Sequence, residues 1–434
     1  MRKTILFLLY FMLFSSFMGA QIFTISLSSY QLSLSRIALL LLIFMFVIFS
    51  FCYEGKSVTA FPEGENKYSI IFFIAWLFYS GLSLFWVKDI QLWFKAMYFI
   101  FSGILSIYFF SMFINDKKQI IKAFYVMEIM IIIHNIVGWY EIFTRNYHFI
   151  SSFNEAYYAS YVNRIPISFA GNPNDYAMIM TFGVAISYVC YKNNQKAIFR
   201  LLFSFTLISS IILLFMTQSR GLIIGFIMGL MFFIIFGLKS KNSIKKALFT
   251  LVTLFLIYIL LSNSFITEYL SSFFIFDFTG ADANRIGLTK NGIDFFISTL
   301  GFGTGAGNIE YWMQNYAIYP TSGALDMHNW WLELLSGYGF IIFVLYIIFY
   351  IKLFSSIFRI YKYSANIEME RISLGIMFCM IAFIVGSISS SSNINREWLW
   401  LFWGVAVAFQ GLGNNYKKNK YIQNKSSYIK RGNQ

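Results

Sequence analysis

The fold is decided by residues 198–241, which read IFRLLFSFTLISSIILLFMTQSRGLIIGFIMGLMFFIIFGLKSK. Two apolar runs, at about 198–216 and 221–238, are separated by the short polar break TQSRG at 217–221. Each run has the roughly 20 apolar residues that a helix needs to cross the hydrocarbon core of a bilayer. The stretch therefore predicts two transmembrane helices joined by a tight polar connection.

The same pattern extends over the rest of the chain and predicts an all-α integral membrane protein. Of its 434 residues, 58% are hydrophobic and 12% are charged, and this charged fraction is about half that of a soluble domain. The first span resembles a signal peptide, but it lacks a small-x-small cleavage site and eleven more spans follow it. Twelve transmembrane helices are predicted, at about 4–20, 32–52, 68–86, 96–114, 119–143, 173–191, 198–216, 221–238, 244–262, 329–351, 372–391 and 397–412.

The basic residues indicate the orientation in the membrane. Roughly 24 of the 33 lysines and arginines lie in the termini and in short connectors on one side, which the positive-inside rule assigns to the cytoplasm. Both termini are therefore predicted to be cytoplasmic, with a basic tail at 413–434 after a membrane domain at 1–412. The net charge of +14 follows this distribution, so no nucleic-acid partner is expected. The three cysteines form no CxxC pair, and neither a disulfide framework nor a zinc site is predicted.

Two long connectors, 144–172 and 263–328, are predicted on the outer side of the membrane. Loops of this length in a compact protein usually carry a function or are disordered. Within the second, apolar residues recur at helical spacing over 284–300 and predict a short amphipathic helix on the membrane surface. The glycine-rich segment GFGTGAG follows at 301–307. It permits close backbone approach to a ligand, and a flexible connector is the alternative.

Three residues of the predicted outer face stand out chemically. Arg220 lies in the polar break at 217–221, where an ionisable group is costly and suggests a function, although a snorkelling arginine would occupy the same place. Arg285 carries a planar guanidinium suited to phosphate, and a solvated loop charge is its alternative role. The imidazole of His328 can act as a general base near neutral pH, or the residue can simply cap the next helix.

Other polar residues nearby are open to two interpretations. The segment GNPND at 171–175 predicts a helix start, with Pro173 in the first turn. The N–H groups at such a start bind anions, although Asn172 can be a simple cap. His134 lies within a span and is expected to form an inter-helix hydrogen bond. The carboxylates that could orient His328 are Asp326, Glu333 and Glu310, and the sequence does not choose among them.

Taken together, these segments resemble the O-antigen ligase and polysaccharide polymerase superfamily of bacterial envelopes. The resemblance spans about residues 165–345, whereas the first five helices match only in hydropathy. Each motif is short, but their order and approximate spacing match. The matching segments are GNPN at 171–174, SRG at 219–221, Arg285, GFG at 301–303, His328-Asn329, Glu333 and GYG at 337–339.

The resemblance implies a glycosyltransferase-C-like helix bundle and an inverting membrane glycosyltransferase that needs neither metal nor cofactor. Its substrate would be a glycan linked to undecaprenyl pyrophosphate at the outer leaflet, with a flippase and a chain-length regulator as partners. His328 and Arg285 would be catalytic. The substrate-binding residues would be Arg220, Ser219, Asn172, Asn174, Asn329 and Glu333.

Several functions remain open at this point. Within the family, a polymerase adds lipid-linked repeat units to one another, and a ligase transfers the finished chain to a different acceptor. The richness in Phe, Ile, Lys and Asn suggests an AT-rich genome, which fits capsular or teichuronic-type polymers of Gram-positive bacteria. These bacteria lack lipid A core, so a polymerase is favoured. A flippase or transporter should instead line a central cavity with charge and often has an internal repeat, which is not visible here. A non-catalytic assembly subunit is a further alternative.

Overall fold

The computed structural model describes residues 2–19, 25–27, 30–52, 62, 64–148, 160–237, 247, 250–251, 254, 281–390 and 392–413. The first half of this described chain holds five long helices: α1 Arg2–Ser16, α2 Leu34–Cys52, α3 Asn66–Leu82, α4 Ile90–Phe113 and α5 Lys117–Thr144. The second half holds α6 Pro173–Asn193, α7 Ala197–Met216, α8 Arg220–Gly237, α9 Ala281–Ser298, α10 Ile309–Tyr316, α11 Trp330–Tyr363, α12 Ile367–Gly386 and α13 at 397–413.

The helices confirm the all-α membrane class. Within the described residues, α2–α5, α7, α8, α11 and α12 are long and apolar enough to cross a membrane. Eleven of the twelve predicted spans coincide with a helix. The ninth, at 244–262, lies almost wholly outside the described residues, as does the tail after 413, so the total of twelve stays a prediction. One departure is a short antiparallel hairpin, β1 Ile25–Leu27 with β2 Tyr30–Leu32, in which Ile25 lies opposite Leu32.

Large apolar side chains cover the outside of the bundle. Phe51 is 82% exposed, Phe85 84% and Phe143 73%. Soluble monomers rarely expose extended apolar surface of this kind, whereas lipid is a favourable surrounding for it. Inside, aromatic rings from α3, α11 and α13 pack together, with Trp76 lying 5.4 Å from Tyr338 and 5.7 Å from Trp400 between ring centroids.

Glycines allow α8 and α12 to approach each other closely. Gly221, Gly225 and Gly229 recur at one-turn spacing along the α8 face that meets α12. A Cβ at Gly225 would collide with the carbonyl of Ala382, and a Cβ at Gly229 would lie 3.1 Å from the carbonyl of Phe378. Small residues at helix contacts are how membrane helices associate without a hydrophobic driving force between them. This contact brings the polar break before α8 next to the end of α12.

The antiparallel course of the helices divides their connections between two ends of the bundle. At one end lie the Lys117–Glu368 ion pair at 2.5 Å and the Arg359–Glu65 ion pair at 2.7 Å. The other end, called here the site end, carries the described residues 16–19, 30–34, 82–90, 144–148, 160–173, 216–220, 281–330, 386–390 and 392–397.

The segment 281–329, called here the loop unit, has a small hydrophobic core of its own. Leu288 and Phe295 of α9 pack in it against Met313, Met327 and Leu332. The predicted helix at 284–300 is thus confirmed as α9, whereas its position on the membrane surface stays a prediction. Other apolar residues of α9 lie outside this core and form an exposed stripe along the helix: Ile286, Ile293 and Ile297.

Candidate functional site

The site is built around the starts of α6, α8 and α11. At α6, Asn172 caps the helix by accepting a hydrogen bond from the backbone N–H of Asp175 at 2.8 Å. Two residues on, the Oδ1 of Asn174 accepts a hydrogen bond at 2.7 Å from the hydroxyl of Ser219, the residue before α8. This bond joins two motifs that are 45 residues apart in the sequence. The capping interpretation of Asn172 is confirmed, and its role in substrate binding stays a prediction.

Asp175 and Arg396 form an ion pair that sequence reasoning did not single out. Asp175 is 3% exposed, and one of its carboxylate oxygens contacts a guanidinium nitrogen of Arg396, which lies just before α13. The side-chain amide of Asn172 donates a hydrogen bond to the same carboxylate oxygen. A buried carboxylate needs such partners because its desolvation is expensive. Arg396 has no motif around it, so only its position outside the basic connectors that are predicted to be cytoplasmic distinguishes it in the sequence.

His328 lies within electrostatic range of four charged groups of the site end. It has a positive φ of 48°, uncommon outside glycine, and it precedes the helix cap Asn329. Burial lowers the pKa of His328; the charge of Asp326 raises it, and the charge of Arg285 lowers it. Asp175 and Arg396 also lie within electrostatic range. The imidazole is therefore neutral near pH 7, the form that can accept a proton.

One ring nitrogen of His328 is available for a ligand. Its Nδ1 is buried and has no hydrogen-bond partner among the described residues. Buried polar atoms are almost always paired, and an exception calls for a functional explanation. A substrate hydroxyl or an ordered water would satisfy this nitrogen.

Arg285 is held near His328 by the loop unit. The side chain of Asn291, in the same helix α9, accepts hydrogen bonds from the N–H groups of Ile318 and Tyr319 and donates one to the carbonyl of Tyr319 at 2.8 Å. These bonds fasten α9 to the chain that leads to His328. Met327, the residue before the histidine, packs in the same small core as α9. The position of Arg285 thus depends on contacts across more than 25 residues.

Arg220 begins α8 and is half-buried. Its neighbour Gly221 lies against Ser389, where a Cβ would collide with the serine hydroxyl. The carbonyl of Ser387, two residues before, accepts a hydrogen bond from the N–H of Trp330 at 3.0 Å. The segment 387–389 therefore connects the start of α8 to the start of α11, and it brings Arg220 to the same end as His328.

Asn329 and Glu333 occupy the first turn of α11. The side chain of Asn329 caps this helix, accepting from the N–H of Leu332. Glu333 is 7% exposed and accepts a hydrogen bond at 2.5 Å from the hydroxyl of Ser392. It faces a cleft beside the site, which Asp326 and Glu310 also line.

The glycine-rich segment at 301–307 packs against protein backbone. The N–H groups of Thr304 and Gly305 donate to the carbonyls of Ser336 and Gly337 at 2.8 and 2.9 Å, and the N–H of Phe340 donates to the carbonyl of Gly301 at 2.9 Å. Helix α11 is broken at Gly339, where φ is 75°, so these groups are free of helical bonds. This bonding to α11 argues against the flexible-connector alternative, and the close approach to a ligand stays a prediction.

The structure brings together Ser219 and Asn174 by a direct bond, and His328 and Arg285 by electrostatic proximity. Arg220, Asn329 and Glu333 lie at the same end of the bundle, and Asn172 serves as a cap. His134 lies elsewhere and bonds to the Ser168 hydroxyl and the Phe17 carbonyl, both at 3.0 Å. Its predicted structural role is confirmed.

Comparisons with known proteins agree with this architecture. A family model described as O-antigen ligase matches residues 205–347, which contain Arg220, Arg285 and His328. Over 407 residues the chain is 24% identical to the teichuronic acid biosynthesis protein TuaE of Bacillus subtilis (strain 168). This alignment covers 92% of the chain and 83% of that relative.

Proposed function

Because this chain belongs to the O-antigen ligase and polymerase-like family, we propose that it is a polysaccharide polymerase that joins lipid-linked oligosaccharide repeat units. The observation that carries the proposal is the buried Nδ1 of His328, which has no hydrogen-bond partner among the described residues and lies within range of the charges of Arg285 and Arg396. A base and two guanidinium groups are what transfer from a diphosphate leaving group requires.

The proposed reaction needs one bond formed and one broken. A hydroxyl of the acceptor sugar attacks the anomeric carbon of the donor glycan, and the bond from that carbon to the pyrophosphate oxygen breaks. The electron pair leaves with the undecaprenyl pyrophosphate, and the proton of the hydroxyl passes to His328. Arg285, Arg396 and Arg220 stabilise the growing negative charge, since guanidinium groups bind phosphate oxygens in pairs. In this proposal their charge takes the place that a metal ion would have.

The site end is proposed to face the exterior, with both termini in the cytoplasm. This orientation is supported by the basic residues of the opposite end, including Lys117, Arg359 and Arg371. The name of the relative supports a teichuronic-type polymer as the product. A flippase that supplies the donor and a chain-length regulator are the partners that the proposal anticipates.

The test uses purified full-length protein with a defined lipid-linked repeat unit, with and without a chelator. Wild type should form chains of several repeats in both conditions, whereas Arg285→Ala and His328→Ala should lose at least about 100-fold in rate. Arg200→Ala is the matched control, because Arg200 lies at the other end with its guanidinium over the ring of Tyr191. Transfer only to a different acceptor would identify a ligase, and normal chains from both site variants would refute the proposed site.

A further inference from the structure

A polar cleft opens beside His328, between α4, the break in α11 and the segment before α13. Its cavity volume is about 110 Å³, which is smaller than the roughly 300–1,000 Å³ of a site for a whole drug-sized ligand, so the cleft suits a single small unit. Asp326 and Met327, immediately before His328, form part of its wall. The polar side chains that line it are Lys95, Glu310, Asp326, Glu333, Tyr338, Ser392 and Asn395.

Tyr338 marks this cleft as a binding site. Its side chain is 2% exposed, and its hydroxyl has no hydrogen-bond partner among the described residues. A buried hydroxyl without a hydrogen-bond partner is destabilising, so a ligand group that forms a hydrogen bond with it gains binding free energy. The ring is fixed edge-on to Trp76 at 5.4 Å between centroids, and the backbone beside it is held by the glycine-rich segment at 301–307. The hydroxyl is therefore preorganised.

The lining fits a sugar better than an ion or a lipid chain. Carboxylates, an amide and a hydroxyl offer acceptors and donors for sugar hydroxyls, and Phe99 and Tyr338 provide ring surface. The carboxylates of Glu310 and Asp326 face a single lysine in this wall, and the third carboxyl group, that of Glu333, is buried. This balance favours an uncharged, hydroxyl-rich sugar over an acidic one.

We propose that this cleft holds an uncharged sugar unit of the acceptor, next to the hydroxyl that attacks, and that Tyr338 and Glu333 determine its recognition. The inference rests on the proposed function, since it needs an acceptor whose hydroxyl reaches His328. Tyr338 contacts a hydroxyl that does not react, and its role is to position the acceptor.

The experiment compares wild type with Tyr338→Phe, which keeps the ring and its packing on Trp76. The KM for the lipid-linked acceptor should rise about tenfold, as expected for one lost hydrogen bond, with kcat and the donor KM unchanged. Tyr188→Phe is the control, because Tyr188 packs against Phe233 on the other half of the bundle. An unchanged acceptor KM, or a fall in kcat alone, would overturn the inference.

A binding measurement separates this inference from the proposed function. Saturation-transfer NMR on the detergent-purified protein would use the free oligosaccharide released by mild hydrolysis of the organism's own polymer. Saturation that passes from the wild-type protein to the oligosaccharide, and its loss with Tyr338→Phe, support a sugar site in the cleft even if no polymer is made in vitro. Equal transfer from both proteins would refute this sugar site while leaving a polymerase activity intact.

Discussion

The arginine ion pairs at the two ends of the helix bundle differ in how deeply they are buried. At the end opposite the site, Arg359 is 46% exposed and pairs with Glu65 at 2.7 Å. At the site end, Arg396 is 24% exposed and pairs with an Asp175 that is almost fully buried. An exposed pair contributes little because water screens it, whereas a buried pair is expensive to build and to break. The burial of its ion pair, more than the presence of charge, therefore distinguishes the site end.

The largest expected effect is that of Arg396→Ala at the site end, for which Arg359→Ala at the opposite end is the comparison. Arg396→Ala should cost about 3–5 kcal/mol of stability, because the buried Asp175 carboxylate loses its ion pair, and activity should fall at least about 100-fold. Arg359→Ala should cost about 0–1 kcal/mol and leave activity near wild type. Thermal unfolding in detergent and polymer length on gels measure the two effects.

The double variant Arg396→Ala/Asp175→Asn separates stability from chemistry. It removes the buried charge together with its partner, so stability should largely return while activity stays low. Recovery of full activity in this variant would assign Arg396 a purely structural role and weaken the contrast between the two ends.

An intermediate effect is expected from Arg220→Lys. The change keeps the positive charge but replaces a planar fork with a point charge, so the rate should fall about tenfold if Arg220 grips pyrophosphate in pairs. Arg200→Lys at the opposite end is the control and should leave the rate unchanged. Unchanged activity of Arg220→Lys would favour the snorkelling interpretation.

The smallest effect concerns pH. Because burial lowers the pKa of His328 below 6.5, the neutral base should persist at pH 6.5, and the initial rate should decline only at lower pH. The charge of Asp326 raises this pKa, so Asp326→Asn should move the acid limb to still lower pH. A limb at 6.5 or above in wild type, or an upward shift in the variant, would contradict the assignment of His328 as the base.

The sequence alone was sufficient for the all-α membrane class, and it also pointed to three candidate site residues whose roles stay predictions. Apolar runs of membrane length predict spans because a helix forms all its backbone hydrogen bonds within itself, as lipid requires. Polar residues stand out against such runs. Arg220 and His328 were recognisable for that reason, since each interrupts or borders an apolar run.

Only the tertiary structure decided which residues meet. The Asp175–Arg396 pair joins positions that are more than 200 residues apart, and no local pattern predicts it. Gly301–Gly307 has the composition of a flexible loop, yet its N–H groups bond to carbonyls that the break at Gly339 leaves available. Tyr338 lies in the GYG segment at 337–339, but nothing in the sequence indicates that its hydroxyl lines a cleft. That hydroxyl lacks a partner among the described residues because of how the helices pack, and this packing arises from contacts between distant segments that the periodicity of a single helix does not encode.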